Sequence, residues 1–390
     1  MHETGIESYY TVVDGKKLRF GYTTGTCAAA AAKAAVLFLL QGRAPETVRI
    51  LTPKGIPLDL EVLEPKLTDV AASCAIRKDS GDDPDVTNGI LVYAEARACA
   101  KPGIEIDGGI GIGRVTKPGL KQPVGEAAIN PVPREMIRRA AEEALAECEQ
   151  LTGLRIVISV PEGVEIAKMT FNPRLGIEGG ISILGTSGIV EPMSEEAMAE
   201  SIRLEIRQKK ALGAERLIIC PGNYGADYAK EVCGAEEGEV VKCSNFIGRT
   251  LDAAVTEGFP EVLLVGQIGK LVKLSGGIMN THSREGDGRA ELMAAWALKA
   301  GGSADLARAV LDCAVTEEML RLIREAGLLE QAMAYMGERI EFYLHHRVRD
   351  RIRAGVVVFH ETFGTLYMSE TAAGWIAEMH EKRKPEGESK

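Results

Sequence analysis

The chain has 390 residues, 45% of them hydrophobic and 26% charged, with a formal net charge of -10. This length exceeds one ordinary core and predicts two globular domains. The acidic balance, with no basic block interleaved with aromatics outside HHRVRDRIR near the C-terminus, argues against a nucleic-acid partner. No uninterrupted apolar run is read as approaching the roughly 20 residues that span a bilayer. The start MHETGIESYY has neither a basic n-region nor an apolar h-region, so a cytoplasmic protein is expected. Cys27, Cys74, Cys99, Cys148, Cys220, Cys233, Cys243 and Cys313 are scattered without a C-x-x-C pair, which predicts reduced, buried thiols rather than a disulfide framework or a zinc site.

In chain order, RFGYTTGTCAAAAAKAA (19–35) places hydroxyls and glycines ahead of an alanine run. One of Thr24, Gly25 or Thr26 caps a helix beginning near Cys27; the surplus hydroxyls and free N–H groups either close that cap or form a helix mouth for a carboxylate or phosphate, with Arg19 and Lys33 nearby. TVRILTPKGIPLDLEV and DVAASCAIRK read as antiparallel strands between Val48 and Val92. KDSGDDPDVTNG (78–89) collects Asp79, Asp82, Asp83 and Asp85 with Thr87 and Asn88. It is a self-capping turn, an acceptor and base site, or an oxygen set for Mg²⁺ or Ca²⁺, the last disfavoured because EF-hand order and its terminal Glu are missing. In GGIGIGRVTKPGL (108–120) Pro118 and Gly119 follow where a dinucleotide loop needs a helix, leaving Arg114 and Lys117 on a turn or around an anion. PREMIRRAAEEALAECEQ is a helix and GLRIVISVP a strand.

From Gly180 the pattern alternates: strand ISILGT, helix 194–212, strand RLIICP, helix 224–232, strand EVVKC, helix 247–258, strand EVLLVGQ. This predicts right-handed βαβ units around a parallel sheet. Helices then fill 289–348, GVVVFHETFGTLYMSE is a hairpin around Gly364, and EKRKPEGESK is a frayed end. Glycine-rich loops after these strands point to one ligand pocket. They carry Gly185, Thr186, Ser187 and Gly188; then Asn223 and Tyr224; then Gln267, Lys270, Asn280, Thr281, His282 and Ser283. His282, in a polar cluster with Asp287 nearby, is the candidate base.

GYTTGTCAAAAAKAA, DPDVTNG, AINPVPREMI, NPRLGIEGGISILGTSGIVEPMS, GNYG and GKLVKLSGGIMNTHS together resemble the cobalt-precorrin-5B C(1)-methyltransferase (CbiD) family, from about Arg19 to Glu291 and again in the terminal hairpin. The resemblance implies an S-adenosylmethionine-dependent methyl transfer to C1 of a cobalt-corrinoid small molecule in anaerobic cobalamin biosynthesis. It also implies a two-layer α+β domain plus a Rossmann-like domain, in agreement with the change of pattern, which sets the expected domains at 1–179 and at 180–390, the latter a three-layer unit with a mostly parallel sheet, a helical extension and a terminal hairpin. Cobalt arrives in the substrate, so no protein-bound metal is implied. A homo-oligomer or transient contact with neighbouring pathway enzymes is compatible with it; a membrane is not involved. Against that target, Arg19, Thr23, Thr24, Gly25, Thr26, Asn88, Arg114 and Arg174 are assigned to the substrate's carboxylate arms. Gly185, Thr186, Ser187, Gly188, Asn223 and Gln267 are assigned to the cofactor, and His282 and Asp85 to catalysis. An NAD(P)-dependent tetrapyrrole reductase and a non-catalytic corrinoid carrier are the rival readings.

Overall fold

A computed structural model of the chain describes residues 3–13, 15–146 and 153–382; Cys148 and the end of the helix expected to run to residue 150 lie outside them. The chain divides into two compact units, Met1–Glu195 and Glu196–Lys390. The first runs β1 (Tyr10–Val13), β2 (Lys16–Arg19), β3 (Gly21–Tyr22), α1 (Thr24–Gln41), β4 (Thr47–Leu51), β5 (Pro57–Glu61), β6 (Leu63–Leu67), β7 (Ala72–Arg77), β8 (Leu91–Ala98), β9 (Gly103–Gly108), β10 (Gly111–Ile112), β11 (Arg114–Val115), α2 (Pro131–Leu145), β12 (Gly153–Ser159), α3 (Gly163–Ala167), β13 (Ile177–Glu178), β14 (Gly180–Ile181) and β15 (Ile189–Val190).

Its main sheet has the order β6-β7-β8-β12-β9, antiparallel except for the β12/β9 pair. Along β8, Val92, Ala94 and Ala96 are buried while Glu95 and Arg97 are exposed, the period-two signature of a sheet covered on one face. The cover is α1, packed on β7 and β8 with α2 beside it. Ala28 to Ala32, Ala34 and Ala35 are fully buried. Without bulk beyond Cβ they let the helix backbone approach Ala72, Cys74, Ala94 and Ala96 on one side and Ala140, Ala141 and Ala144 on another, all in the same core. Contrary to the reading of the sequence, Thr24–Gln41 is long and apolar enough to cross a membrane, but 72% of it is buried inside the fold, as a core helix is.

The second unit runs α4 (Glu195–Ala211), which starts at the boundary, then β16 (Arg216–Cys220), α5 (Asn223–Cys233), β17 (Val240–Lys242), α6 (Ile247–Thr256), β18 (Glu261–Gln267), α7 (Ile268–Leu271), α8 (Arg289–Lys299), α9 (Ala304–Leu311), α10 (Thr316–Glu325), α11 (Leu329–Val348), β19 (Arg353–His360), β20 (Gly364–Met368) and α12 (Glu370–Lys382). Its sheet has the order β17-β16-β18-β19-β20, parallel apart from β20. Alternate residues of each strand enter opposite cores. Leu217, Ile219, Leu264 and Val356 meet Ile206, Leu251 and Ile340, whereas Ile218, Cys220, Val265 and Phe359 meet Ala229 and Trp375. Helices therefore cover both faces.

One expectation needs correction. ISILGT does not open the parallel sheet: only Gly180 and Ile181 are in a strand, paired with β10. Ile183 bridges to Ile129 and β15 pairs with β3, so the segment belongs to the first unit. The hairpin around Gly364 is present as β19 and β20; β19 also lies in full parallel register with β18, and α12 follows in a stretch to which no element had been assigned.

Candidate functional site

The strings singled out in the first half converge on the N-terminus of α1. The cap is Thr23 rather than Thr24, Gly25 or Thr26, and the helix starts at Thr24 rather than near Cys27; Thr23 Oγ1 accepts from the Thr26 N–H at 3.3 Å. The surplus hydroxyls meet the chain some 160 residues later: Thr24 Oγ1 donates to the Leu184 carbonyl at 3.2 Å and accepts from the Leu184 N–H at 3.0 Å, and Thr26 Oγ1 donates to the Gly188 carbonyl at 2.7 Å. The Gly25 N–H donates to the Leu184 carbonyl at 3.0 Å. Thr23, Thr24 and Thr26 are all buried, so the helix mouth is filled by loop 184–188. Gly185 and Gly188 have positive φ, and a Cβ at Gly185 would sit 2.4 Å from Thr23 Oγ1. Their glycines thus serve close approach to α1. Thr186 is exposed, and Ser187 Oγ donates to the Ile189 carbonyl at 3.0 Å.

Loop 78–89 is fastened to the same hub. Arg19 forks onto both oxygens of Asp79 at 2.7 and 2.8 Å, and its N–H donates to Asp82 at 2.6 Å. Burial pushes the Asp79 carboxyl up, but the Arg19 guanidinium and the Gly81 N–H outweigh this and hold it below its ordinary value. Asp83 accepts from the Met193 N–H at 2.9 Å. Asp85 accepts from the buried Lys78 ammonium at 2.6 Å and from the Thr87 N–H and hydroxyl at 2.8 and 2.6 Å. Burial again acts upward on Asp85, and Lys78 with Thr87 again wins, leaving the carboxyl below its usual range. Asn88 Oδ1 accepts from the Ser80 N–H at 2.9 Å. Among the described residues no group of three or more His, Cys, Asp or Glu side chains could hold a metal ion. Farther round the unit, Arg114 donates to Asp107 and to the Gly108 carbonyl, each at 2.8 Å. Arg174 is exposed over the Phe171 ring, with no ion pair among the described residues.

In the second unit, strand order reverses between β16 and β18, since the chain goes from β16 outward to β17 and returns past it. Beyond the carboxyl ends of those two strands lie Gly222 and Asn223 on one side and Gln267 and Lys270 on the other. Gly222 has φ +124, and the nearest atom to a Cβ built there is Lys270 Nζ at 3.9 Å. Asn223 opens α5 and its Oδ1 accepts from Lys242 at 2.9 Å; Gln267 Nε2 donates to Glu361 at 3.3 Å. Lys242 and Glu361 escaped the sequence reading, although Lys242 ends β17 and Glu361 directly follows β19, so that each sits at a carboxyl end.

His282 lies in a loop braced by Lys273, which is 3% exposed and donates to the Thr281 and Gly286 carbonyls at 3.2 and 3.0 Å. Asp287 does not orient His282 as expected: it pairs with Arg289 at 2.5 Å. His282 Nδ1 instead accepts from the Arg284 N–H at 3.1 Å. The neutral ring then carries its proton on Nε2 and presents a donor.

In open α/β sheets small ligands bind beyond the strand ends where the strand order reverses, which makes the ends of β16 and β18 the candidate site of this α/β unit. The CbiD family model matches residues 11–192 and that of the CbiD C-terminal domain matches residues 280–370. Over 90% of the chain there is 48% identity to the cobalt-precorrin-5B C(1)-methyltransferase of Ruminiclostridium cellulolyticum, covering 91% of that protein. The enzyme of the same name from Alkaliphilus metalliredigens is 47% identical over 92% of the chain and 94% of its own length. The chain belongs to the CbiD family. The crystal structure of cobalamin biosynthesis protein (cbiD) from Archaeoglobus fulgidus matches with 32% identity over 73% of this chain and 88% of that one, at a TM-score of 0.39.

Proposed function

We propose that this chain is a C-methyltransferase that moves a methyl group from S-adenosylmethionine to C1 of cobalt-precorrin-5B, giving cobalt-precorrin-6A in anaerobic cobalamin biosynthesis. The observation that carries this is the 48% identity to an enzyme of that name across 90% of the chain. On this reading the second unit is the Rossmann-like cofactor domain, the first a two-layer α+β domain that meets the macrocycle, and the protein is cytoplasmic. Bound donor supplies an electrophilic methyl carbon on a sulfonium. The donor set at the carboxyl ends of β16 to β19 fits such a molecule: bare backbone at Gly222, amides at Asn223 and Gln267, cations at Lys242 and Lys270 and an acid at Glu361. Loop 184–188, spent on the α1 cap, supports that position less well.

For the macrocycle's carboxylate arms, Arg174 is the best supported of the arginines, because Arg19 and Arg114 already hold carboxylates. Asp85, ionised and paired with Lys78, is a weak base. His282, with its acceptor nitrogen occupied, is suited to polarise a macrocycle oxygen rather than to remove a proton. Neither is required for much acceleration, since in-line methyl displacement draws mainly on positioning. Anaerobic incubation of the purified protein with S-adenosylmethionine and cobalt-precorrin-5B should add one methyl group by mass, located at C1 by carbon-13 NMR. An NAD(P)H-dependent spectral change without methyl gain would favour the reductase, and macrocycle binding without turnover the carrier.

A further inference from the structure

We propose that Lys270 binds the carboxylate of the methyl donor's amino-acid arm, an inference that rests on the methyltransferase reading above. Lys270 follows directly on β18 and is half-buried. Among the described residues its ammonium has neither a hydrogen-bond acceptor nor a carboxylate partner; the nearby titratable groups that bear on it are the Cys243 thiol and the Lys273 ammonium. Other sequestered cations of the unit are all provided for: Lys273 by two carbonyls, Lys209 by the Gly238 carbonyl, Arg207 by Glu257. Half-burial strips a charged group of part of its hydration, a cost that a bound anion would offset. Burial accordingly pushes the Lys270 pKa down.

The location identifies the anion. Lys270 Nζ overhangs Gly222 at the reversal of strand order, where no side chain rises from the backbone. Lys242, also without a carboxylate partner among the described residues, is tethered to Asn223 close by in chain and sheet. Glu361, beside Gln267, adds a negative charge to the same strand ends. Cations and an acid together suit an amino-acid zwitterion; a phosphate or a macrocycle arm would gain from the lysines and be repelled by the glutamate.

The test is calorimetric titration of the full chain with S-adenosylhomocysteine and with 5′-methylthioadenosine, which keeps the nucleoside and lacks the carboxylate, with a cobalt-corrinoid analogue present. Lys270→Met should weaken S-adenosylhomocysteine binding about tenfold, the worth of one charge-assisted hydrogen bond, leave 5′-methylthioadenosine unchanged, and be partly rescued in Lys270→Arg. Unchanged S-adenosylhomocysteine affinity in Lys270→Met, or equal weakening of both ligands, overturns the inference while the methyltransferase reading stands. If Lys270→Met lowers only corrinoid or inorganic phosphate affinity, the anion is another one and the inference also falls. Failure of the unaltered chain to bind either adenosine ligand removes the cofactor reading and the inference together. Circular dichroism of both variants separates misfolding from lost recognition.

Discussion

Lys78 is 2% exposed, and the carboxylate facing its ammonium at 2.6 Å is that of Asp85. Removing that carboxylate leaves a buried cation whose remaining side-chain hydrogen bond, among the described residues, is to the Ser80 hydroxyl. Asp85→Asn should therefore destabilise the protein by about 3 kcal/mol at neutral pH, the usual cost of halving a buried pair. The pH dependence has a defined sign. Because the folded carboxyl lies below its ordinary value, its contribution is complete above the unfolded pKa of about 4 and disappears as pH falls through the folded value. Urea titrations of the two proteins should show a gap that is constant from pH 7 to 5 and narrows below about pH 4. A gap unchanged down to pH 3 would mean that the ion pair is not what Asp85 contributes. Asp79 is held low in the same direction, with Arg19 as its partner, so its pairing weakens over the same acid range.

At the scale of elements, α1 shows both what the sequence reveals and what it hides. Its alanine run announced close packing, and the structure spends it that way, with Ala28 to Ala32 wholly enclosed. Ala31→Leu should overfill this seam and cost about 1–3 kcal/mol, read as a lowered urea midpoint by circular dichroism; an unchanged midpoint would mean the seam has slack. A hydroxyl cap and an excess over one cap were legible, but the cap is Thr23, one residue before the candidates. The partner of that excess was not legible, because a string cannot say whether surplus hydroxyls await a ligand or the carbonyls of Leu184 and Gly188, brought in from 160 and 162 residues away. ISILGT failed for a related reason: a short apolar run states that it is buried, not against which sheet. The strand ends at Asn223 and Gln267 were placed correctly, since β16 and β18 are bounded by turn residues and followed by helices. Helix α12 was passed over although Ala372, Trp375 and Ile376 stand at three and four spacing and are all buried.

Across the whole molecule, each unit has its own core, one confined to residues before 190 and two formed entirely after 200. A chain of residues 1–195 should therefore fold alone, whereas one ending at 179 should not. The shorter chain loses Ile181, Ile183 and Ile189, all buried, along with the partners of Gly25, Thr24 and Thr26. At about 2 kcal/mol for each isoleucine the deficit is about 6 kcal/mol, as large as the net stability of many domains. A cooperative melt for 1–195 and none for 1–179 is the expected result; equal melts would show that the segment after 180 only rests on the surface. The same division separates the two places where the cofactor had been looked for. If it binds at the ends of β16 and β18, residues 196–390 retain S-adenosylhomocysteine affinity in calorimetry and residues 1–195 have none. Binding confined to 1–195 would return the cofactor to Gly185, Thr186, Ser187 and Gly188. The α1 cap would then have to open to admit it, because Leu184 and Gly188 already hold the threonine hydroxyls that such a ligand would need.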